Sequence, residues 1–373
     1  MKRIVGVIGT RPEAIKMAPV FLEIRRRSVF QLVICATGQH PDMLRHALSA
    51  FDLVPDVVLK VPQHDPGLAA LTSGLMRSLD DCFADVRPDV VLVHGDTQSS
   101  LAGALVAFWR RLPTGHVEAG LRTKSRHIPF PEELNRRLVD QVVDWHFAPT
   151  PKARENLLHA GVCEDGIVVT GNTAVDAILL AQKAVNAASP RYVDFDPGVL
   201  DARRVVLVTG HRRENHGAHL RSLCSALLDV VRDDPRVSVV YPVHLNPNVA
   251  EVVYGTLANL DRVHLIPPQP YLAFVDLMCR STVIVSDSGG IQEEAPSLGK
   301  PVLVTRESTE RPEMLATGLV HIVGNSRETI KSRVLSQLHN GSLHPVPVNP
   351  CGDGLAAPRI VDFLENVLGS MTR

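Results

Sequence analysis

Several side chains in this sequence are spaced for chemistry on a ligand that carries both negative charge and hydroxyl groups. The stretch "SDSGGIQEEAPSLGKP" (286–301) follows an apolar run, Thr282 to Val285, with Ser288, Gly289 and Gly290, and sets Glu293 and Glu294 about a helical turn beyond. Small residues at a strand end let a ligand approach the backbone, and free N–H groups at a helix start favour a diphosphate. Glu294, a turn later, is then spaced to accept ribose hydroxyls. "RESTERPE" (306–313) adds Arg311 and Glu313 beyond the next strand. Further forward, "GTRPEAIKMAP" (9–19) holds Thr10 and Glu13 at capping-box spacing around Pro12. Arg11 and Lys16 in that stretch either face an anion at the helix start or are solvated cations.

Three acidic sites end strands or open helices in the first half of the chain. Asp96 follows "VVLVHG" and either caps the next helix or faces a ligand. Glu118 stands before a glycine loop in "HVEAGLRT", where capping is a weaker explanation. Glu132 and Glu133 open a helix after Pro131, where the helix dipole alone favours acids; Leu134, Leu138, Val142 and Val143 form the expected buried stripe of that helix. In the second half, "VTGHRREN" (208–215) places His211, Arg212 and Arg213 at a strand end, a group suited to phosphate. His211, His216 and His219 match no standard metal spacing, so no metal site is expected.

Such residues act together only where a fold brings them to one edge. Short β-branched runs at 3–8, 31–36, 89–94, 114–118, 166–169, 204–209, 237–241, 263–266, 282–286 and 301–304 alternate with amphipathic stretches such as 97–111, 131–146, 217–232 and 271–279. This alternation predicts an α/β protein with parallel sheets covered on both faces, whose ligands bind beyond the carboxyl ends of the strands. The length of 373 residues predicts two domains, with a connection in the Ala-, Pro- and Asp-rich segment 184–204. A loop-like stretch at 339–354 precedes a final amphipathic helix near 356–368.

Bulk composition narrows the function classes. Apolar residues make up 45% and charged residues 21%, the balance of a soluble globular protein. A net charge of −1 gives no electrostatic footprint for nucleic acid or an anionic membrane, so any anion site is local. Six scattered cysteines with no Cys-x-x-Cys fit reduced thiols. The start "MKRIVGVIGTRPE" is too broken by Gly6, Gly9 and Arg11 for a signal peptide, and no apolar run reaches the length of a membrane span. A cytoplasmic location is the expectation.

The blocks "GTRPEAIKMAPV", "HGDT", "HVEAGLRT", "PFPEELNR", "TGNTAVDA", "TGHRREN", "VHLNPNV", "SDSGGIQEEAPSLGKPVLV" and "TERPE" occur in that order over nearly the whole chain. Together they resemble the non-hydrolysing UDP-N-acetylglucosamine 2-epimerases. The resemblance implies two doubly wound Rossmann-like domains in a glycosyltransferase-B architecture with the active site in the interdomain cleft. It puts the first domain at 1–170, completed by a C-terminal helix at 356–373, and a UDP-binding second domain at 171–355. It further implies that Gln269 and Phe274 hold uracil, that Ser288, Gly289 and Gly290 hold the diphosphate, and that Glu294 binds ribose. His211 and Arg311 would lie near the phosphates, and Arg11, Lys16, Asp96, Glu118 and Glu132 would face the sugar. Catalysis would fall to Asp96, Glu118, Glu132 and His211 in a homodimer whose ligands are UDP-N-acetylglucosamine, UDP-N-acetylmannosamine and UDP, with no cofactor.

The implied chemistry suits those residue types. No carbonyl acidifies the C2 hydrogen of the sugar, so the family's route eliminates UDP across C1–C2 to 2-acetamidoglucal and adds it back after protonation on the other face. That needs a carboxylate base and a proton donor at C2, and cations that retain the diphosphate. A hydrolysing epimerase and a glycosyltransferase of the same fold are the competing readings. One departure concerns regulation: after Thr37-Gly38-Gln39-His40 stand Pro41 and Asp42, and "VPQHDPGLAAL" (61–71) lacks the Arg of relatives activated by their own substrate. Activation by substrate is therefore not expected.

Overall fold

The run Lys2–Ile8 forms the central strand β1 of a seven-stranded parallel sheet. In the computed structural model, residues 1–38, 41–61, 67–210, 217–309, 311–340 and 349–370 are described. They form two units, Met1–Ala177 with Cys351–Arg373, and Ile178–Pro350. Around β1 run β2 (Phe30–Ala36), β3 (Val57–Val58), β4 (Val90–His94), β5 (Thr114–Val117), β6 (Trp145–Ala148) and β7 (Ile167–Val169), in the order β3-β2-β1-β4-β5-β6-β7. Ile4 pairs with Leu32 on one side and Val90 on the other. The chain therefore reverses its winding at β1, and the crevice beyond β1 and β4 is where such a sheet binds ligands.

Helices α1 (Arg11–Arg27), α2 (Pro41–Ser49), α3 (Leu68–Val86), α4 (Gln98–Trp109), α5 (Glu132–Val142) and α6 (Pro151–His159) follow in the first unit. Strands such as β4 are buried along their whole length, the pattern of a parallel sheet covered on both faces. Val5, Val7, Val91 and Val93 pack with Leu75, Leu79 and Phe83 of α3 and Leu101 and Val106 of α4. The division between the units falls inside α7 (Thr173–Ala187). The second unit holds β8 (Arg204–Thr209), β9 (Val237–Pro242), β10 (Val263–Ile266), β11 (Val283–Ser286), β12 (Val302–Val304) and β13 (Val320–Ile322), all parallel, in the order β10-β9-β8-β11-β12-β13. Its helices are α8 (Ala218–Asp233), α9 (Pro247–Leu257), α10 (Tyr271–Arg280), α11 (Gly289–Glu294) and α12 (Arg327–Asn340). Leu220, Leu223, Leu227 and Val230 of α8 cover Val206, Val208, Val239 and Val283. This sheet reverses between β8 and β11, so Gly210 and Ser288 mark its ligand edge.

Three strands exceed the sequence expectation: β3, β6 and β13. β3 has only two residues, and β6 lies where the helical pattern was extended to 146. That helix also corrects the expected stripe. Leu134 and Leu138 are 41% and 43% exposed, while Glu133, Asn135, Val139 and Asp140 are buried. Period alone selects the leucines, but the polar partners of the buried side chains lie across the sheet edge and turn α5 the other way.

The final helix α13 (Ala356–Ser370) belongs to the first unit. Phe363 meets Trp145 and Phe147 edge-on, and Arg27 pairs with Asp362 and Glu365. At its start, Ala356 and Ala357 N–H donate to the buried Asp176 at 3.2 and 2.8 Å. Burial pushes the Asp176 carboxyl up to about 6, above its ordinary 3.8, although those two donors pull it down. Folded Asp176 therefore holds its proton to higher pH than the unfolded chain does. Its contribution to stability is fully present below 3.8 and is lost as pH rises through about 6. Relative to Asp176→Asn, the wild type should gain about 1 kcal/mol in going from about pH 7 to about pH 5, read by urea unfolding at both values. A gap that does not move between them removes Asp176 from this account.

Candidate active site

The turn after β1 is built on Glu13. Its Oε2 accepts Gly9 N–H and Thr10 N–H at 3.0 and 2.7 Å, completing the capping box at the start of α1. Its Oε1 accepts the hydroxyls of Thr97 and Ser100 at 2.7 and 3.0 Å, so one buried carboxylate joins the turns after β1 and β4. Burial raises the Glu13 carboxyl above its ordinary range against these four donors. Thr97, not Asp96, caps α4, accepting Ser100 N–H at 3.1 Å. Asp96 is thereby released from the structural explanation. Its carboxylate pairs with Arg136 of α5, and its carbonyl accepts Asn135 Nδ2 at 2.9 Å.

Glu118 ends β5 in the left-handed backbone region, with φ of 66°. A non-glycine residue there stores strain of the kind that clusters at functional sites. Its Oε2 pairs with Lys16 of α1 and lies 3.9 Å from Nε2 of His94, the last residue of β4. Burial is the main cause that lowers His94 to about 4, so its ring is neutral near pH 7. Beneath this pair, His116 joins Asp140 through Nδ1 and the Gly95 carbonyl through Nε2, both at 2.7 Å. The carbonyl can only accept, so Nε2 donates to it and holds the turn that carries Asp96. Burial acts to raise Asp140, but His116 and Arg122 hold its carboxyl below the ordinary range. Glu132 opens α5 half-buried, whereas Glu133 is buried and tied to Arg137 and to Thr123 N–H.

In the second unit, β11 leads into Ser288, the N-cap of α11, whose side chain makes no capping bond. Ser288 N–H donates to Ser286 Oγ at 3.0 Å. A Cβ added at Gly290 would meet nothing closer than Glu294 Oε1 at 3.8 Å and Ser288 Oγ at 3.9 Å. The fold itself leaves room there, so absence of a side chain keeps the backbone open to something else. The two adjacent acids divide: Glu293 is buried and pairs with Arg311, while Glu294 is partly exposed. Asn349 Nδ2 donates to the Glu293 carbonyl and to Ser297 Oγ at 2.8 and 2.7 Å, fixing the same turn. Gln269 is buried, and its amide serves the backbone: Oε1 accepts Val193 N–H, and Nε2 donates to the carbonyls of Val193 and Pro267. Phe274 of α10 is half-buried.

The family model for UDP-N-acetylglucosamine 2-epimerase matches residues 22–365. The UDP-N-acetylglucosamine 2-epimerase of Salmonella typhimurium is 44% identical over 98% of this chain and 98% of its own. The chain belongs to the UDP-N-acetylglucosamine 2-epimerase family. An epimerase of this family from Neisseria meningitidis, solved bound to UDP-GlcNAc, superposes with a TM-score of 0.85 at 41% identity, covering 98% of this chain and all of that one. A calicheamicin glycosyltransferase shares the fold at a TM-score of 0.61 and 15% identity, over 99% of this chain and 98% of its own. Two Rossmann-like units are thus common to the epimerase family and to glycosyltransferases of type B.

Of the residues singled out in the sequence, the first unit brings Lys16 against Glu118, with Asp96 on the neighbouring turn and Arg11 opening α1. Glu132 opens α5, the helix whose Arg136 holds Asp96. Ser288, Gly289 and Gly290 lie at the start of α11, Glu294 ends that helix, and Arg311 reaches it through Glu293. His211 lies outside the described residues, as do His216, Gln39, His40 and Asp65. Among the described residues no group of three His, Cys, Asp or Glu is placed for a metal, and no helix is long and apolar enough to cross a membrane. Sequence reasoning missed His94, His116 and Arg136 and gave Glu13 only its local cap. "HGDT" did carry a signal for His94, which directly precedes the Gly-Asp turn.

Proposed function

We propose that this chain is a non-hydrolysing, metal-independent isomerase that interconverts UDP-N-acetylglucosamine and UDP-N-acetylmannosamine. The observation that carries the reading is Glu118, a carboxylate held by strained backbone against Lys16 at the carboxyl edge of the first sheet, one strand from Asp96. A proton is removed at C2 by one carboxylate as the C1–O bond breaks and UDP leaves with the bonding electrons. The resulting 2-acetamidoglucal is protonated at C2 on its other face, and UDP adds back at C1. Asp96, Glu118, Glu132 and His211 are the proton-transfer candidates. Arg11 and Lys16 hold the sugar side, and His211 and Arg311 retain the diphosphate charge. The sequence is redox-neutral, so it asks for no electron carrier.

UDP is assigned to the second unit: the diphosphate to the backbone of Ser288, Gly289 and Gly290, ribose to Glu294, and uracil to the half-exposed face of Phe274. The Gln269 amide is used by Val193 and Pro267, so a uracil contact there falls to its main chain. Six scattered cysteines with no Cys-x-x-Cys support a reducing, cytoplasmic setting. The exposed Phe108, Trp109, Leu134 and Leu138 support a homodimer.

Incubation with UDP-N-acetylglucosamine in D2O, followed by proton NMR, tests the reaction. Both epimers should appear with deuterium at C2, and EDTA should change nothing. Free N-acetylmannosamine as the main product would replace this reading with hydrolysis. Transfer of the sugar to an added acceptor, with no deuterium at C2, would favour the glycosyltransferase.

A further inference from the structure

His94 is 3% exposed, and its Nε2 has no hydrogen-bond partner among the described residues. That nitrogen lies 3.9 Å from Oε2 of Glu118. At that separation no hydrogen bond joins the two atoms. A neutral ring with its proton on Nδ1 turns an Nε2 lone pair toward Glu118. The charged and titratable groups around the ring are Glu118 and His116 from β5 and its end, Lys16 from α1, and Asp96 from the turn that follows His94. Lys16 and His116 oppose a proton on the ring, adding to burial, and the two carboxylates favour one.

We propose that His94 is a positioning residue for Glu118, its Nε2 accepting a hydrogen bond from the Glu118 carboxyl whenever that carboxyl carries the proton taken from C2. The inference rests on the epimerisation proposed above. While Glu118 is ionised, Lys16 pairs with it. When the C2–H bond breaks, its electron pair forms the C1=C2 double bond, the C1–O electrons leave on UDP, and the proton goes to Glu118. The new O–H is a donor that needs an acceptor, and Nε2, 3.9 Å from Oε2, is one that it faces. Loss of that proton to solvent, while C2 is protonated on its other face by a different group, restores the pair with Lys16.

The test compares His94→Met, of similar bulk but without the acceptor, with His94→Gln, which keeps an oxygen near Nε2. Because Nε2 favours the protonated form of Glu118, its loss should move the acid limb of the kcat–pH profile to lower pH by about 0.7. Turnover of the Met variant should fall by about tenfold with KM changed by less than about twofold, and the Gln variant should recover most of the loss. A Met variant with wild-type turnover and pH limb overturns the role, as does a folded Gln variant no better than Met. A wild type that exchanges no deuterium at C2 instead fails the epimerase reading itself. Should His94→Met not fold, 15N NMR of histidine-labelled wild type decides: an unprotonated Nε2 near pH 7 supports the role, and a proton on Nε2 overturns it. That signal is assigned by its loss in His94→Gln.

Discussion

Glu118→Gln should lower turnover by about a hundredfold or more, the usual scale for removing a general acid or base. The amide keeps the size of the side chain but neither takes up nor returns a proton at neutral pH. Lys16 also loses its pair with Glu118. The residues assigned to UDP lie in the other unit, so calorimetric UDP affinity should stay near wild type. That split between turnover and affinity separates a proton-transfer residue from a binding residue. Asp96→Asn and Glu132→Gln complete the series. Asp96→Asn carries the added loss of the pair with Arg136, so some of its effect will appear as lower stability. Near-wild-type turnover in all three variants would remove the acid–base assignment altogether.

Gly290→Val should weaken UDP binding by at least about tenfold while leaving the protein folded. One lost hydrogen bond to a charged group is worth about 1.5–3 kcal/mol, and about 1.4 kcal/mol is tenfold in affinity. The nearest protein atoms to an added Cβ are at 3.8 and 3.9 Å, ordinary contacts, and the backbone is not in the left-handed region. Valine is also a better helix residue than glycine, so thermal stability should hold or rise slightly. Gly9 provides the contrast. A Cβ there would sit 2.0 Å from Ser99 Oγ and 2.6 Å from Thr37 Oγ1, so Gly9→Ala should lower stability first. Unchanged UDP affinity in Gly290→Val would mean that the start of α11 is scaffold and that the diphosphate lies elsewhere.

Much of this molecule is legible in its sequence. Alternating β-branched runs and amphipathic stretches fixed the α/β class, because parallel strands buried on both faces need long apolar runs and helical crossovers. The ordered motifs carried the family, and Thr10 with Glu13 carried the capping box, since an interaction over three residues depends on local spacing alone. Local spacing could not say which face of α5 is buried. Leu134 and Leu138 satisfy helical periodicity, yet Asn135 and Arg136 face the Asp96 turn some 40 residues away in sequence. Nor could it divide Asp96 from Thr97 as the cap, or Glu293 from Glu294 as the buried acid, since each choice turns on a partner brought in by another element. The pairing of Lys16 with Glu118, 102 residues apart, and the approach of His94 to the same carboxylate exist only because β4 lies between β1 and β5. Strand order is a property of the packed sheet, settled by which strands bury their faces together, and it is this order that converts scattered acids and bases into one site.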